Sequence, residues 1–370
     1  MNPTIGELLA RVGVDATDVA AEELPHNRWL SPGVWQIRTR EGRQAVLKYA
    51  RSDRSAGATP MDAHWTAHDQ DPRRWTYWCR ESLAYQHDLA GAYDGARIRA
   101  PACLGVDVSA SDAVLLLQWV TGEPGEVWAI SSYGAAAEAL GRGEAPFLLG
   151  RPVPPFPWLS KGFLREYSSE KQVTWELLDD DDAWAHPLAR QTFPAGLREA
   201  VLFVHAHRPR LYQISESLPR TFCHLDFWPK NLFQMAGGET VVIDWSFAGD
   251  GAIGEDAGNL VPDAVFDHFV TADQMPRLEQ AVYEGYLRGL RAAGWHDDPR
   301  LVQLGMWSSA VKYDWLAAFT LAQVRQDRQY RYGGAGEIDA GFKFRERSRA
   351  LLYNAGWARN AIELASRLGF

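Results

Sequence analysis

Cys223-His224-Leu225-Asp226-Phe227-Trp228-Pro229-Lys230-Asn231-Leu232-Phe233 sets a His, an Asp, a Lys and an Asn among Phe, Trp and Leu. Polar groups in such an apolar sleeve are costly unless they are hydrogen-bonded or bind something charged. The stretch is therefore either a satisfied polar turn or an active site. Upstream, GLREAVLFVHAHRPRLYQIS (196–215) reads as a long helix. Downstream, NLFQM, a turn through Gly237-Gly238, and TVVIDW read as a hairpin. A hairpin brings its ends together, so Asn231 and Asp244 should lie side by side with Asp226 above them. Two oxygen ligands suit Mg²⁺, which keeps waters and takes further ligands from phosphates. A carboxylate that the metal does not need can accept the proton of an attacking hydroxyl. Lys48, in the strand QAVLKYA (44–50), shares a face with Val46, where an ammonium is costly unless it meets an anion. The set asks for a phosphoryl donor.

The rest of the chain predicts two lobes. Residues 5–12 read as a short helix, and VWQIRT (34–39) pairs with QAVLKYA across a turn at Gly42. The polar, aperiodic segment 51–70 reads as a loop. Asp71-Pro72 then supplies an N-cap and a first-turn proline. Trp75, Trp78, Cys79, Ser82, Leu83 and Gln86 follow at helical spacing, with Glu81 on the flank of that helix. AVLLLQWV (113–120) is a buried strand, and TGEPGE after it marks the lobe boundary. Beyond that point GAAAEALGRG is helical, EAPFLLGRPVPPFPW is a proline-rich connector, and the last hundred residues carry helix patterns. These include PRLEQAVYEGYLRGLRAAG and MWSSAVKYDWLAAFTLAQV.

Composition narrows the function. The 370 residues, 46% hydrophobic and 23% charged, suit an ordered globular enzyme. A formal net charge of −9 argues against a nucleic-acid partner. Three separated cysteines without a CxxC pair read as reduced thiols, and no apolar run is long enough to span a bilayer. With no signal-peptide pattern at the N-terminus, a cytoplasmic protein is expected.

HLDFWPKN has the His-x-Asp-x-x-x-x-Asn spacing of the protein-kinase-like catalytic loop, and IDW (243–245) stands where that superfamily places a metal-binding Asp. The run IDWSFAGDGAIGEDAGNL resembles the aminoglycoside phosphotransferase and choline kinase branch. The resemblance implies an α+β, two-lobed protein-kinase-like fold. A small antiparallel-sheet lobe (1–120) would bind the nucleotide, and a larger helical lobe (121–370) would carry the catalytic loop and acceptor pocket. It implies ATP or GTP with Mg²⁺ and a small hydroxylated acceptor, such as an antibiotic, amino alcohol or sugar. Asp226 would be the catalytic base; Asn231 and Asp244 would hold the metal. Lys48 would reach the phosphates, aimed by Glu81, under a loop containing Ser31 and Gly33. The backbone of Gln118, Trp119 and Val120 would meet the base, while His224 and Asp256 would be structural, Asp256 bracing the loop.

Other readings compete. A silent nucleotide-binding protein of the same fold has no reason to keep Asp226, Asn231, Asp244 and Lys48 together. An NAD-dependent oxidoreductase would use Gly249-x-Gly251-x-x-Gly254, which follows a strand and precedes a helix pattern. That motif starts four residues past Trp245 and lacks a βαβ series. His205 and His207 face different ways on their helix and read as surface or core residues. Trp307 and Trp315 read as helix core; the alternative has the aromatics of 306–316 lining the acceptor pocket and Asp314 binding a substrate amine. The acidic balance and 16 tryptophans lean toward a polar, cationic or sugar-like acceptor.

Overall fold

A computed structural model describes residues 3–26, 32–52, 71–93, 95–325 and 339–370. Ser31 and most of the loop expected over 51–70 lie outside these residues.

Helix α1 (Ile5–Arg11) starts at a capping box, in which Thr4 and Glu7 each bond the other's backbone. Its buried Leu8 and Leu9 dock on a five-stranded sheet. The chain supplies β1 (Val19–Glu23), β2 (Gly33–Thr39) and β3 (Gln44–Arg51), then α2 (Arg80–Gln86) and the two-residue β4 (Ile98–Arg99). β5 (Cys103–Val108) and β6 (Asp112–Gln118) complete the antiparallel sheet, whose order is β1-β2-β3-β6-β5. Alternation along β3 sends Ala45, Leu47 and Tyr49 into the core with Leu8, Leu9, Ile37, Val114 and Leu116. Lys48 therefore faces the opposite side.

The helix expected from residue 72 is shorter than its pattern. Residues 71–79 are mostly turns, and α2 begins at Arg80. Arg80, fully buried, explains the difference. Its guanidinium donates to the carbonyls of Pro72, Arg74 and Trp75, and also to those of Trp158 and Ser246. Three of those carbonyls would otherwise belong to the helical ladder.

The remainder is helical around two small sheets. It runs through β7 (Glu123–Pro124), α3 (Ile130–Leu148), β8 (Ser160–Lys161), α4 (Phe163–Ser169), α5 (Asp181–Ala185), α6 (Pro187–Thr192) and α7 (Leu197–Ser217). Then come β9 (Arg220–Cys223), β10 (Leu232–Gln234), β11 (Thr240–Val242) and β12 (Gly249–Ala252). The chain closes with α8 (Glu255–Phe266), α9 (Met275–Ala292), α10 (Arg300–Ser308), α11 (Trp315–Arg325) and α12 (Ala340–Leu368). β10 and β11 form the expected hairpin, Leu232 opposite Val242. They sit in the sheet β4-β11-β10-β7, beside a second sheet β8-β12-β9.

Two helix boundaries differ from the sequence reading. α3 continues into the proline-rich segment as far as Leu148, because buried Glu144, Ala145 and Phe147 keep that turn in the core despite Pro146. MWSSAVKYDWLAAFTLAQV is not one helix. The Ser308 and Ser309 hydroxyls bond the carbonyls of Gly305 and Met306, and a 3₁₀ turn, Ser309–Tyr313, separates α10 from α11. That turn buries Lys312. α3 and α9 cross very closely. A Cβ on Gly285 would fall 2.1 Å from the Gly134 carbonyl oxygen, and one on Gly289 2.1 Å from that of Glu138. The three cysteines are free thiols, and among the described residues no helix is long and apolar enough to cross a membrane.

Candidate active site

The catalytic-loop stretch leaves β9, makes a short turn at Pro229–Asn231 and enters β10. Leu225 takes a left-handed backbone, φ 65°. The two residues at this bend are anchored from behind. Asp256, in the first turn of α8, accepts the His224 N–H at 2.6 Å and the Leu225 N–H at 2.7 Å. His224 is fully buried. Its Nδ1 faces the Asp226 N–H at 3.3 Å, which leaves Nε2 to donate to the Ile243 carbonyl at 3.1 Å. One imidazole thus ties this loop to the end of the hairpin. Burial pushes its pKa down to about 4, keeping it neutral in this role.

Asn231 donates its amide to both the carbonyl oxygen and the carboxylate of Asp226, at 3.0 and 2.8 Å. With Nδ2 spent there, Oδ1 is the oxygen Asn231 has left for a ligand. The Ile243 N–H donates to the Asn231 carbonyl, closing the hairpin one residue before Asp244. Asp244 has φ 62°, a strained conformation for a non-glycine residue. Its Oδ1 accepts from the Ser246 hydroxyl. Burial pushes the Asp244 carboxyl up, but Lys48 and the Ser246 hydrogen bonds outweigh it, and the group lies below its ordinary range. One ionised and one neutral oxygen ligand fit a hard divalent cation that takes its other ligands from phosphate and water.

Lys48 donates to both oxygens of Glu81, at 2.6 and 2.8 Å. Both side chains are largely enclosed, 15% and 11% exposed, and the charges of Lys48 and Asp244 act on one another. The β3 lysine and the α2 glutamate are therefore in contact, with the hairpin aspartate within electrostatic reach of both. Burial raises the Glu81 carboxyl to about 7, with Lys48 opposing. Asp226 is pushed up to about 8, again by burial, with Lys312 the largest opposing charge.

Other expected residues fall as follows. Gly33 opens β2 opposite Tyr49, and a Cβ there would strike the Trp35 ring, so ring packing accounts for this glycine. Gln118 ends β6 and spends its N–H on the Ala102 carbonyl; Trp119 and Val120 follow, half-buried. Lys230 lies 3.7 Å from Glu126 and over Trp228. Asp314 pairs with the His205 ring at 3.0 Å and sits 3.5 Å from Arg208, so protein groups already occupy it. Trp307 donates to Glu279. His207 bonds the Phe203 carbonyl at 2.8 Å.

The glycine-rich run does not form a dinucleotide site. Gly249–Ala252 is β12, antiparallel to β9, and side chains at Gly249 and Gly251 would collide with Ser160 and Cys223. Those glycines are required by neighbouring protein chain. A second buried group, Glu144, Cys223 and Asp256, lies behind the loop. Glu144 bonds the Tyr286 hydroxyl, and Asp256 holds backbone N–H groups. Sequence reasoning missed Lys171 and Lys312, buried lysines within electrostatic reach of Asp226. No motif marks them, since they sit in a loop and a 3₁₀ turn.

Residues 24–297 match the model of the phosphotransferase enzyme family. No curated protein matches the chain in sequence. Among solved structures, the chain is similar to an aminoglycoside phosphotransferase from Alicyclobacillus acidocaldarius, with TM-score 0.53 and 13% identity over 100% of this chain and 98% of that one. It is also similar to the amicoumacin kinase hAmiN, with TM-score 0.50 and 13% identity over 95% of this chain and 89% of that one. At such identities the likeness concerns the fold. The family match over most of its length shows that the chain belongs to the phosphotransferase enzyme family, and the chain shares the kinase-like fold of these structures.

Proposed function

We propose that the enzyme transfers the γ-phosphate of ATP or GTP to a hydroxyl of a small polar molecule. The observation that carries this reading is the pairing of Asp226 with Asn231 at 2.8 Å, beside an Asp244 whose charge is coupled to the Lys48–Glu81 ion pair. In its ionised form Asp226 receives the proton of the acceptor hydroxyl as its oxygen bonds to the γ-phosphorus. The bond from the γ-phosphorus to the bridging oxygen breaks, and the nucleoside diphosphate leaves with that electron pair. Asn231, by holding the carboxylate, fixes the direction in which Asp226 receives the proton. Lys48, aimed by Glu81, steadies the phosphates, and backbone at Gln118, Trp119 and Val120 holds the base. Asn231 and Asp244 would hold Mg²⁺, which supplies charge neutralisation along the triphosphate. His224 and Asp256 keep the loop in register.

Residues 1–120 form the nucleotide lobe on this reading and 121–370 the acceptor lobe. β4 pairs with β11 of the larger lobe, which ties the two segments together. A silent nucleotide-binding protein is the alternative, and the complete set of four polar residues weighs against it. A thermal-shift screen with Mg²⁺ plus ATP or GTP, repeated over hydroxylated compounds, tests the function. Stabilisation by nucleotide that depends on Mg²⁺ and grows with an acceptor is expected. Metal-independent stabilisation without phosphate transfer to any acceptor would favour the silent protein.

A further inference from the structure

One residue joins the Asp244 segment to the helix that carries Glu81. Arg80, buried at the start of α2, donates to the Ser246 carbonyl at 2.8 Å. Ser246 spends its other polar groups on Asp244: the hydroxyl donates to Oδ1, and the backbone N–H bonds the same carboxyl. Its neighbours in the chain, Trp245 and Phe247, are 1% and 5% exposed. Trp245 stacks on Phe222 with ring planes 12° apart, and Phe247 packs against Trp75 and Phe163. The backbone at Ser246 is thus fixed by two buried rings and a guanidinium, without help from the hydroxyl. Among the described residues the hydroxyl has Asp244 as its partner.

A carboxylate in this position has a competing partner. Opposite charges attract strongly where little water screens them, and the Lys48 charge acts on Asp244. Closure of that pair would spend on each other the ammonium meant for phosphate and the oxygen meant for a cation. The structure holds them apart. Among the described residues no ion pair joins Lys48 to Asp244; both Glu81 oxygens take Lys48, and Ser246 takes Asp244. Arg80 spaces the two holds, because it carries Ser246 and directly precedes Glu81. A hydroxyl on Oδ1 also stops rotation of the carboxylate, so the direction of Oδ2 is set in advance. Groups that orient a metal ligand in this way govern affinity nearly as much as the ligand does.

We propose that Ser246 is a positioning residue of the nucleotide site, whose hydroxyl fixes the Asp244 carboxylate for a divalent cation and keeps it from pairing with Lys48. This rests on the phosphotransferase reading above and deepens it at the metal carboxylate.

The test is calorimetric affinity for a non-hydrolysable ATP or GTP analogue, measured once with excess Mg²⁺ and once with a chelator. For wild type, Mg²⁺ should tighten binding. Ser246→Ala should weaken the Mg²⁺-bound affinity about tenfold or more, with the chelator value within about threefold of wild type. Ser246→Thr, which keeps the hydroxyl, should recover most of the loss. In a Lys48→Met background, Ser246→Ala should cost less than it does alone, because no ammonium competes for Asp244. Urea unfolding of Ser246→Ala should stay close to wild type, since the backbone there is held by other groups. A loss of stability with the Mg²⁺ dependence unchanged, or a Ser246→Ala chain that does not fold, would give the hydroxyl a structural role and overturn the inference. Mg²⁺-bound affinity equal to wild type would overturn it as well, and equal costs in the two backgrounds would remove Lys48 as the competitor. In each of these cases the phosphotransferase reading stands. A wild-type affinity that Mg²⁺ leaves unaltered would overturn that reading and this inference with it.

Discussion

The nearness of Asp226, Asn231 and Asp244 was readable from spacing and the hairpin, and Lys48 from its place on the face of its strand. Five positions separate Asp226 from Asn231, and a hairpin has only one way to join its ends. Glu81 was readable as a flank residue, and the structure turns that flank to Lys48. The contact makes a specific prediction. Lys48→Met should reduce kcat/KM for nucleotide by at least about 100-fold while changing stability by less than about 1 kcal/mol, because Glu81 has an alternative to unpaired charge. Burial has already brought its carboxyl to about 7, so on losing Lys48 it takes up a proton. Steady-state kinetics and urea unfolding measure the two parts. A large loss of stability with nucleotide use intact would give the pair a purely structural role. Lys171 and Lys312 were not readable, since a buried lysine in a turn has the same sequence signature as an exposed one.

The strands of the first sheet, the hairpin and the long helices followed from period and turn residues. The segment 71–79 did not, because a side chain overrode the backbone pattern. Arg80 takes five carbonyl groups, and nothing in the local sequence announces that. Arg80→Met should therefore cost about 3–5 kcal/mol, by leaving buried carbonyls without donors. Equilibrium urea unfolding reads this, and a loss below about 1 kcal/mol would show that the turn holds without the guanidinium. The end of α8 offers a second case. His268 follows the helix with φ 65°, donates its N–H to Val265, and Phe269 N–H reaches back to Ala264, the Schellman closure usually made with glycine. Burial, with Arg347 and Lys343, lowers the His268 pKa to about 4. A histidine with a depressed folded-state pKa contributes stability above pH 6.5 that is lost as pH falls toward 4. His268→Asn tolerates the left-handed backbone and removes the titration. Its stability should fall less than the wild-type's between pH 7 and 5, by on the order of 1 kcal/mol after allowing for partial exposure. Parallel pH dependences would remove His268 from the acid response.

For the molecule as a whole, the sequence supported the two-part architecture: strands early, helices late, and an active-site motif at the return to a small sheet. It did not reveal that α3 and α9 meet backbone to backbone, which depends on glycines far apart along the chain, such as Gly134 and Gly285. Nor could overall charge describe the surroundings of Asp226, where two buried lysines stand inside an acidic protein. Net charge governs solubility and long-range steering; selectivity is set by the few groups within contact of the reacting hydroxyl. The account stands on Asp226 accepting the acceptor's proton while other residues hold the nucleotide. Transfer of γ-³²P-labelled phosphate to a hydroxylated acceptor should be compared between wild type and Asp226→Asn, with nucleotide affinity measured on the same preparations. The expected result is labelled product from wild type, a fall of at least about 100-fold in kcat for the variant, and a nucleotide Kd within about threefold of wild type. Equal labelling by the two proteins, or no labelled product from a wild type that binds Mg²⁺-nucleotide, would contradict it.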